Sequence, residues 1–106
     1  MKPLIFFSYI FISSCTFSLA EKIDVYFGTG GRASEGIYHS KFDTESGKLS
    51  QPKVAAKVNG PGFLAWHPDR SKIYAVAGID GGPGVAGFHL KKDGSLEQFT
   101  SSLVRD

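Results

Sequence analysis

The stretch Phe63-Leu64-Ala65-Trp66-His67-Pro68-Asp69-Arg70-Ser71-Lys72-Ile73-Tyr74-Ala75-Val76 holds two short apolar runs around a Pro-Asp turn. Proline presets φ for a turn and aspartate bonds its own following backbone, so His67–Ser71 reverses the chain. Neither run has a 3.6 period, and both are of strand length. The same alternation continues on either side. Downstream, 79–84 reads as a Gly/Pro loop and 85–90 as a strand. Residues 91–95 form a tight turn with Asp93-Gly94 placed for positive φ, and 96–103 reads as a last strand. Upstream, 59–62 reads as a loop, 23–28 and 36–42 as strands and 43–48 as a turn. A further strand within 49–58 is interrupted at Pro52, because proline cannot donate to a ladder.

The chain also matches itself at a shift of about 48 positions. Val25-Tyr26 falls on Ile73-Tyr74, Gly30 on Gly78, Gly36-Ile37 on Gly84-Val85 and Phe42 on Leu90; after a one-residue deletion, Gly47 falls on Gly94 and Leu49 on Leu96. Four short antiparallel strands per repeat of that length make a β-propeller blade. The fold expected is therefore all-β, with about one and three-quarter blades: blade one over 23–58 without its inner strand, and blade two over 63–103 with 63–66 innermost. A lone blade leaves two apolar faces bare and needs neighbours to cover them.

The sequence has 106 residues, 42% hydrophobic and 21% charged, the balance of a globular domain and not of a disordered chain. Twelve Lys and Arg against ten Asp and Glu give a net charge of +2, with no electrostatic case for nucleic acid. Met1-Lys2-Pro3, an apolar run from Leu4 to Leu19 and small residues before Glu21 have the order of a secretory signal peptide over 1–20. The mature protein is then expected outside the cytoplasm and free of the membrane. A retained anchor is disfavoured by the serines that break the apolar run. Ile12-Ser13-Ser14-Cys15 offers an alternative, a lipoprotein box with lipid on Cys15. Cys15 is the only cysteine, so cleavage after Ala20 leaves neither a disulfide nor thiol chemistry.

Three blocks carry a family resemblance. Val25-Tyr26-Phe27-Gly28-Thr29 with Gly36-Ile37-Tyr38 and Phe42–Leu49 is the first. Gly60-Pro61-Gly62-Phe63-Leu64-Ala65 with Pro68-Asp69 and Ile73–Val76 is the second, and Gly84-Val85 with Asp93–Leu96 the third. Together they resemble the lactonase family of seven-bladed propellers, whose named activity is 6-phosphogluconolactonase. The resemblance implies hydrolysis of a sugar lactone, a small-molecule substrate and no cofactor. Seven repeats of this length need about 340 residues, so the chain reads as the N-terminal part of a longer protein whose remaining blades are missing. The alternative is a short natural product that assembles as an oligomer.

In a propeller the loops entering inner strands and those joining second to third strands share one rim of the channel. Here these are 58–63, 29–35 and 78–83. Lactone hydrolysis needs a base for water and donors for the developing oxyanion. Asp80 is the carboxylate available as a base in its loop. Thr29 and Asn59 offer substrate donors, and Arg32 a guanidinium for phosphate. Each has a plainer role: strand end, turn former or solvated loop charge. Glu35 is read as a solvated charge. His67 falls at the far-rim turn, and His39 and His89 fall on third strands, with no metal spacing among them. Trp66 is read as packing between blades. Ala77-Gly78 stands where the family has polar residues. Export favours a second reading, a non-catalytic extracytoplasmic propeller that binds a sugar or protein partner, because 6-phosphogluconolactone is a cytoplasmic metabolite.

Overall fold

A computed structural model describes residues 21–31 and 33–104. The leader with Cys15, and the Arg32 side chain, therefore lie outside the described residues. Eight strands follow in order: β1 (Lys22–Gly28), β2 (Gly36–Asp43), β3 (Lys48–Leu49), β4 (Lys53–Lys57), β5 (Asn59–Trp66), β6 (Lys72–Ile79), β7 (Gly82–Leu90) and β8 (Leu96–Leu103). Among the described residues no helix is long and apolar enough to cross a membrane. The strands form two antiparallel four-stranded sheets. In the first, β1 pairs with β2, and both β3 and β4 pair with β2; in the second the order is β5-β6-β7-β8.

The pairing registers of the two sheets coincide. Tyr26 faces His39 in the first sheet and Tyr74 faces Gly87 in the second. Each pair is displaced by 48 positions, from 26 to 74 and from 39 to 87. Gly28↔Ile37 and Val76↔Val85 stand in the same relation.

Two loops expected from the sequence are strand instead. Asn59–Gly62 opens β5, where a bulge separates Asn59↔Gly78 from Phe63↔Val76 and absorbs Gly60-Pro61-Gly62. A bulge admits a proline without demanding its missing N–H. The loop expected over 79–84 shrinks to the two residues Asp80-Gly81 between the paired Ile79 and Gly82. Both have positive φ, 45° and 83°, as a type I′ hairpin turn requires. The interruption at Pro52 is present, between β3 and β4.

The core lies between the sheets. Period-2 alternation puts Ile73, Ala75, Ala77 and Ile79 of β6 on one face with Ala86 and Phe88 of β7 and Leu96 of β8; Ile37 and Ala55 meet them from the first sheet. Phe88 and Ile37 have no exposed surface, and each large apolar side chain so buried contributes about 1.5–3 kcal/mol. The small alanines let the sheets approach. At the seam, the Tyr26 hydroxyl donates to the Gly94 carbonyl at 2.7 Å. Tyr26 also packs on His39, centroids 4.9 Å apart, and edge-on to Trp66 at 5.8 Å. Burial above all pushes the Tyr26 phenol up to about 12, so it stays a neutral donor. Gly94 has φ 90°, and a Cβ there would stand 2.8 Å from His39 Nδ1.

The opposite rim is built from aspartate-capped turns. Asp69 Oδ1 accepts from Ser71 N at 2.9 Å and Ser71 Oγ at 2.7 Å, and Asp93 Oδ1 accepts likewise from Ser95. These Ser71 donors hold the Asp69 carboxyl down at about 2, and the Ser95 donors lower Asp93.

Two outcomes follow for stability. Gly94→Ala combines a positive-φ cost with a collision against His39 and is expected to cost about 1–3 kcal/mol. Tyr26→Phe loses one hydrogen bond, about 1 kcal/mol; urea midpoints measure both, and unchanged midpoints refute the seam's role. A depressed carboxyl stabilises the fold above its ordinary pKa, and that contribution fades as pH falls through the folded value. The parent should therefore lose part of its stability between about pH 4 and pH 2, and Asp69→Asn should lose less across that window in acid titration followed by circular dichroism. Parallel curves would show that the Asp69 turn does not matter.

Candidate functional site

The rim that carries the sequence candidates is assembled from three loops. The first, between β1 and β2, is tied down internally. Thr29 Oγ1 donates to the Gly36 carbonyl at 2.7 Å and touches the Ser34 hydroxyl, which in turn accepts from Gly36 N at 3.2 Å. The Thr29 hydroxyl thus closes its own loop instead of pointing a free donor outward. Glu35 holds the loop's flank: its carbonyl accepts from Val58 N at 3.3 Å, and its exposed carboxylate lies 3.8 Å from Lys57 Nζ.

The second loop is the bulged start of β5. Asn59 lies opposite Gly78, and its amide is laid against that glycine so closely that a Cβ on Gly78 would stand 2.8 Å from Asn59 Nδ2. Gly78 therefore has a local reason: it makes room for Asn59. Pro61 is buried and its carbonyl approaches Gly28, where a Cβ would come within 2.6 Å. This contact brings the end of β1, and Thr29 after it, beside the start of β5.

The third is the Asp80-Gly81 turn. Asp80 is exposed, and its geometry is that of a turn former. Asn59, Gly60, Val76, Ala77, Gly78, Gly81, Gly82 and Pro83 line an open depression of ≈ 480 Å³. Asp80 is not part of that lining. The structure brings Asn59 and the glycine backbone together, leaves Asp80 at the lip, and uses Thr29 within its own loop. What this surface offers a ligand is amide donors on a glycine-rich, sterically open ledge.

The densest polar cluster lies elsewhere, along the seam. Asp24 Oδ1 is 2.7 Å from His39 Nε2 and 2.9 Å from Lys41 Nζ. Lys41 first, and then His39, hold the Asp24 carboxyl below the usual carboxylate range. Asp24, Tyr26, Leu64, Trp66 and Ile73 are among the residues lining a cavity of ≈ 300 Å³ there. Sequence reading passed over this cluster, although Asp24 and Tyr26, and His39 and Lys41, alternate in a way that puts all four on one face. Trp66 is half-exposed, with Tyr26 at its edge and the Arg70 guanidinium 5.5 Å over its ring. His67 Nδ1 lies 2.9 Å from Asp69 Oδ1 in the far-rim turn, and His89 stacks on Phe99 at 4.3 Å. Among the described residues, no three His, Cys, Asp or Glu side chains converge to hold a metal.

The fold is shared with known proteins. A 6-phosphogluconolactonase of Bacillus subtilis (strain 168) is 41% identical over 83 residues, which is 74% of this chain and 23% of that protein. A solved structure of a Lactobacillus plantarum protein superposes with a TM-score of 0.71 at 22% identity, over 79% of this chain and 24% of that one. A Bacteroides fragilis protein does so at 0.68 and 26% identity, over 77% of this chain and 24% of that one. The chain spans about a quarter of the length of these relatives. The family described as lactonase, seven-bladed β-propeller, matches across residues 24–105, and the chain belongs to that family.

Proposed function

We propose that these two sheets serve a propeller that hydrolyses a sugar lactone, in the manner of a 6-phosphogluconolactonase. The observation that carries this is the 41% identity to the Bacillus subtilis enzyme across both sheets. In the reaction water adds to the lactone carbonyl carbon, the ring C–O bond breaks, and the ring oxygen takes a proton, leaving a hydroxy acid. Charge builds on the carbonyl oxygen in the transition state, and preorganised donors there lower the barrier. The Asn59 amide, fixed against Gly78, fits that part. Arg32 would hold a substrate phosphate, and Asp80 is the carboxylate at the lip of the depression. Thr29 acts by fixing the first loop. The rest of the ring would complete the channel mouth.

The leader over 1–20 supports action outside the cytoplasm, with lipid attachment at Cys15 as the other route to the same side of the membrane. That location also favours a second reading, a propeller that binds a sugar or a protein partner without catalysis.

The test uses the protein with its ring complete, assayed on glucono-lactone with and without the 6-phosphate. Hydrolysis above the spontaneous rate is expected, faster with the phosphate. A rate equal to the spontaneous one removes the enzymatic reading and leaves the binding one; equal rates on both substrates remove the role of Arg32. Asp80→Asn keeps a residue tolerant of positive φ while deleting the carboxylate. A general base lost in this way costs about 100-fold or more in kcat, whereas an unchanged kcat makes Asp80 a turn residue only.

A further inference from the structure

The bulge that opens β5 has a chemical consequence for the residue at its start. Asn59 is the only asparagine in the sequence, and a glycine follows it. Asn59 pairs with Gly78 and Phe63 with Val76, so the β5 side of the bulge is the longer and Gly60 has no partner across the strand. A surplus residue at a bulge stays out of the ladder. The carbonyl of Lys72 accepts from His67 N and that of Ser71 from Leu90 N, so alternate residues of β6 turn their main chain to β5 and to β7. Ala77, opposite the bulge, therefore turns its carbonyl to β7 and away from Gly60. Gly60 itself has φ 58°, and with no Cβ its nitrogen is unshielded.

Two other glycines follow an acidic side chain, and the structure sets both apart. Gly94 N donates to the Lys91 carbonyl at 3.0 Å, and Asp93 Oδ1 accepts from Ser95 N and Oγ, which keeps that carboxyl ionised. Asp80 before Gly81 carries a carboxylate too, and an ionised carboxylate repels a nucleophile. Asn59 alone offers a neutral carbonyl carbon, on an amide that rests against Gly78.

We propose that Asn59-Gly60 is a site of self-modification, at which the main-chain nitrogen of Gly60 attacks the side-chain carbonyl carbon of Asn59 and expels ammonia. The Gly60 N–H gives its proton to solvent base, a new N–C bond closes a succinimide ring, and the bond to Asn59 Nδ2 breaks as that nitrogen takes up a proton. Water then opens the ring. Opening at the side-chain carbonyl leaves aspartate, and opening at the main-chain carbonyl leaves isoaspartate, whose backbone is longer by a carbon. The sum converts asparagine and water to an acid and ammonia, and nothing is oxidised or reduced. Either product sets a negative charge beside Gly78. The step stands whether or not the rim binds a lactone.

The protein with its ring complete is held folded in mildly alkaline buffer, sampled over days and digested with trypsin. Cleavage after Lys57 and Arg70 releases residues 58–70, in which Asn59 carries the only side-chain amide. Mass spectrometry should show this peptide gaining the mass difference between an amide and an acid, in two products that chromatography separates. Asn59→Gln should abolish the gain, because a larger ring closes poorly, and Gly60→Ala should slow it severalfold, with circular dichroism reporting whether each variant keeps its strands. The same segment in denatured parent protein is the reference and needs no variant. A folded parent whose peptide stays unchanged while the denatured one converts overturns the proposal. A gain undiminished in a folded Gly60→Ala variant overturns it as well, since the attacking nitrogen would then not be the one the bulge frees.

Discussion

Everything in this chain depends on two sheets covering one another. Neither sheet could stand alone, since each has apolar side chains on both faces. The joined seam hides Ile37, Ile73 and Phe88 and leaves the outer faces as they would be in a lone wedge. Its centre is apolar and non-directional, but its corner is specific. The Tyr26 hydroxyl on the Gly94 carbonyl, with His39 laid over the same glycine, fixes how far one sheet slides along the other. An apolar contact built on alanines alone would tolerate slippage; a hydrogen bond at the corner, flanked by the Asp24 carboxylate with Lys41 and His39, does not.

That constraint reaches the rim. Gly28 and Pro61 approach closely because the seam brings β1 and β5 together, and this sets Thr29's loop beside Asn59. The rim side chains are thus positioned by packing some strands away, while local bonds close the first loop. Thr29 gives its proton to its own loop, which makes it a positioning residue for its neighbours. Asn59 keeps its amide on the surface, beside Gly78.

Much of this was legible in the sequence because strands write themselves at period two. The Pro-Asp and Asp-Gly turns, β6 and β8 and the break at Pro52 follow from local chemistry alone, and the shift of about 48 positions joined them into wedges. The failures share one cause. Glycine and proline read as loop, yet Gly60-Pro61-Gly62 is held within a strand by the bulge opposite β6, and Gly82-Pro83-Gly84 pairs with β6 residue by residue. Cross-strand pairing is a tertiary fact and overrides the local signal. The seam cluster was missed for a related reason. Asp24 and His39 are fifteen positions apart in sequence, and only the register of β1 on β2 makes them neighbours. Gly78 read as a departure from the family's polar pattern, and the amide that accounts for it comes from another strand.

The same reasoning separates what the two edges of the molecule can do. The rim of Asn59, Gly78 and Gly81 is open and rich in backbone, around a depression of ≈ 480 Å³. The opposite rim spends its carboxylates on its own turns: Asp43, Asp69 and Asp93 each accept from following residues and are held ionised by them. A carboxylate whose pKa is depressed by two or more donors is a poor proton acceptor near neutrality, because the donors stabilise the charge that a base must give up. General-base chemistry is therefore disfavoured on the turn-capped rim and on Asp24, which Lys41 and His39 hold ionised. Asp80 accepts no such donors among the described residues. The two rims thus differ in kind: one commits its carboxylates to its own turns, and the other keeps an open, glycine-lined depression.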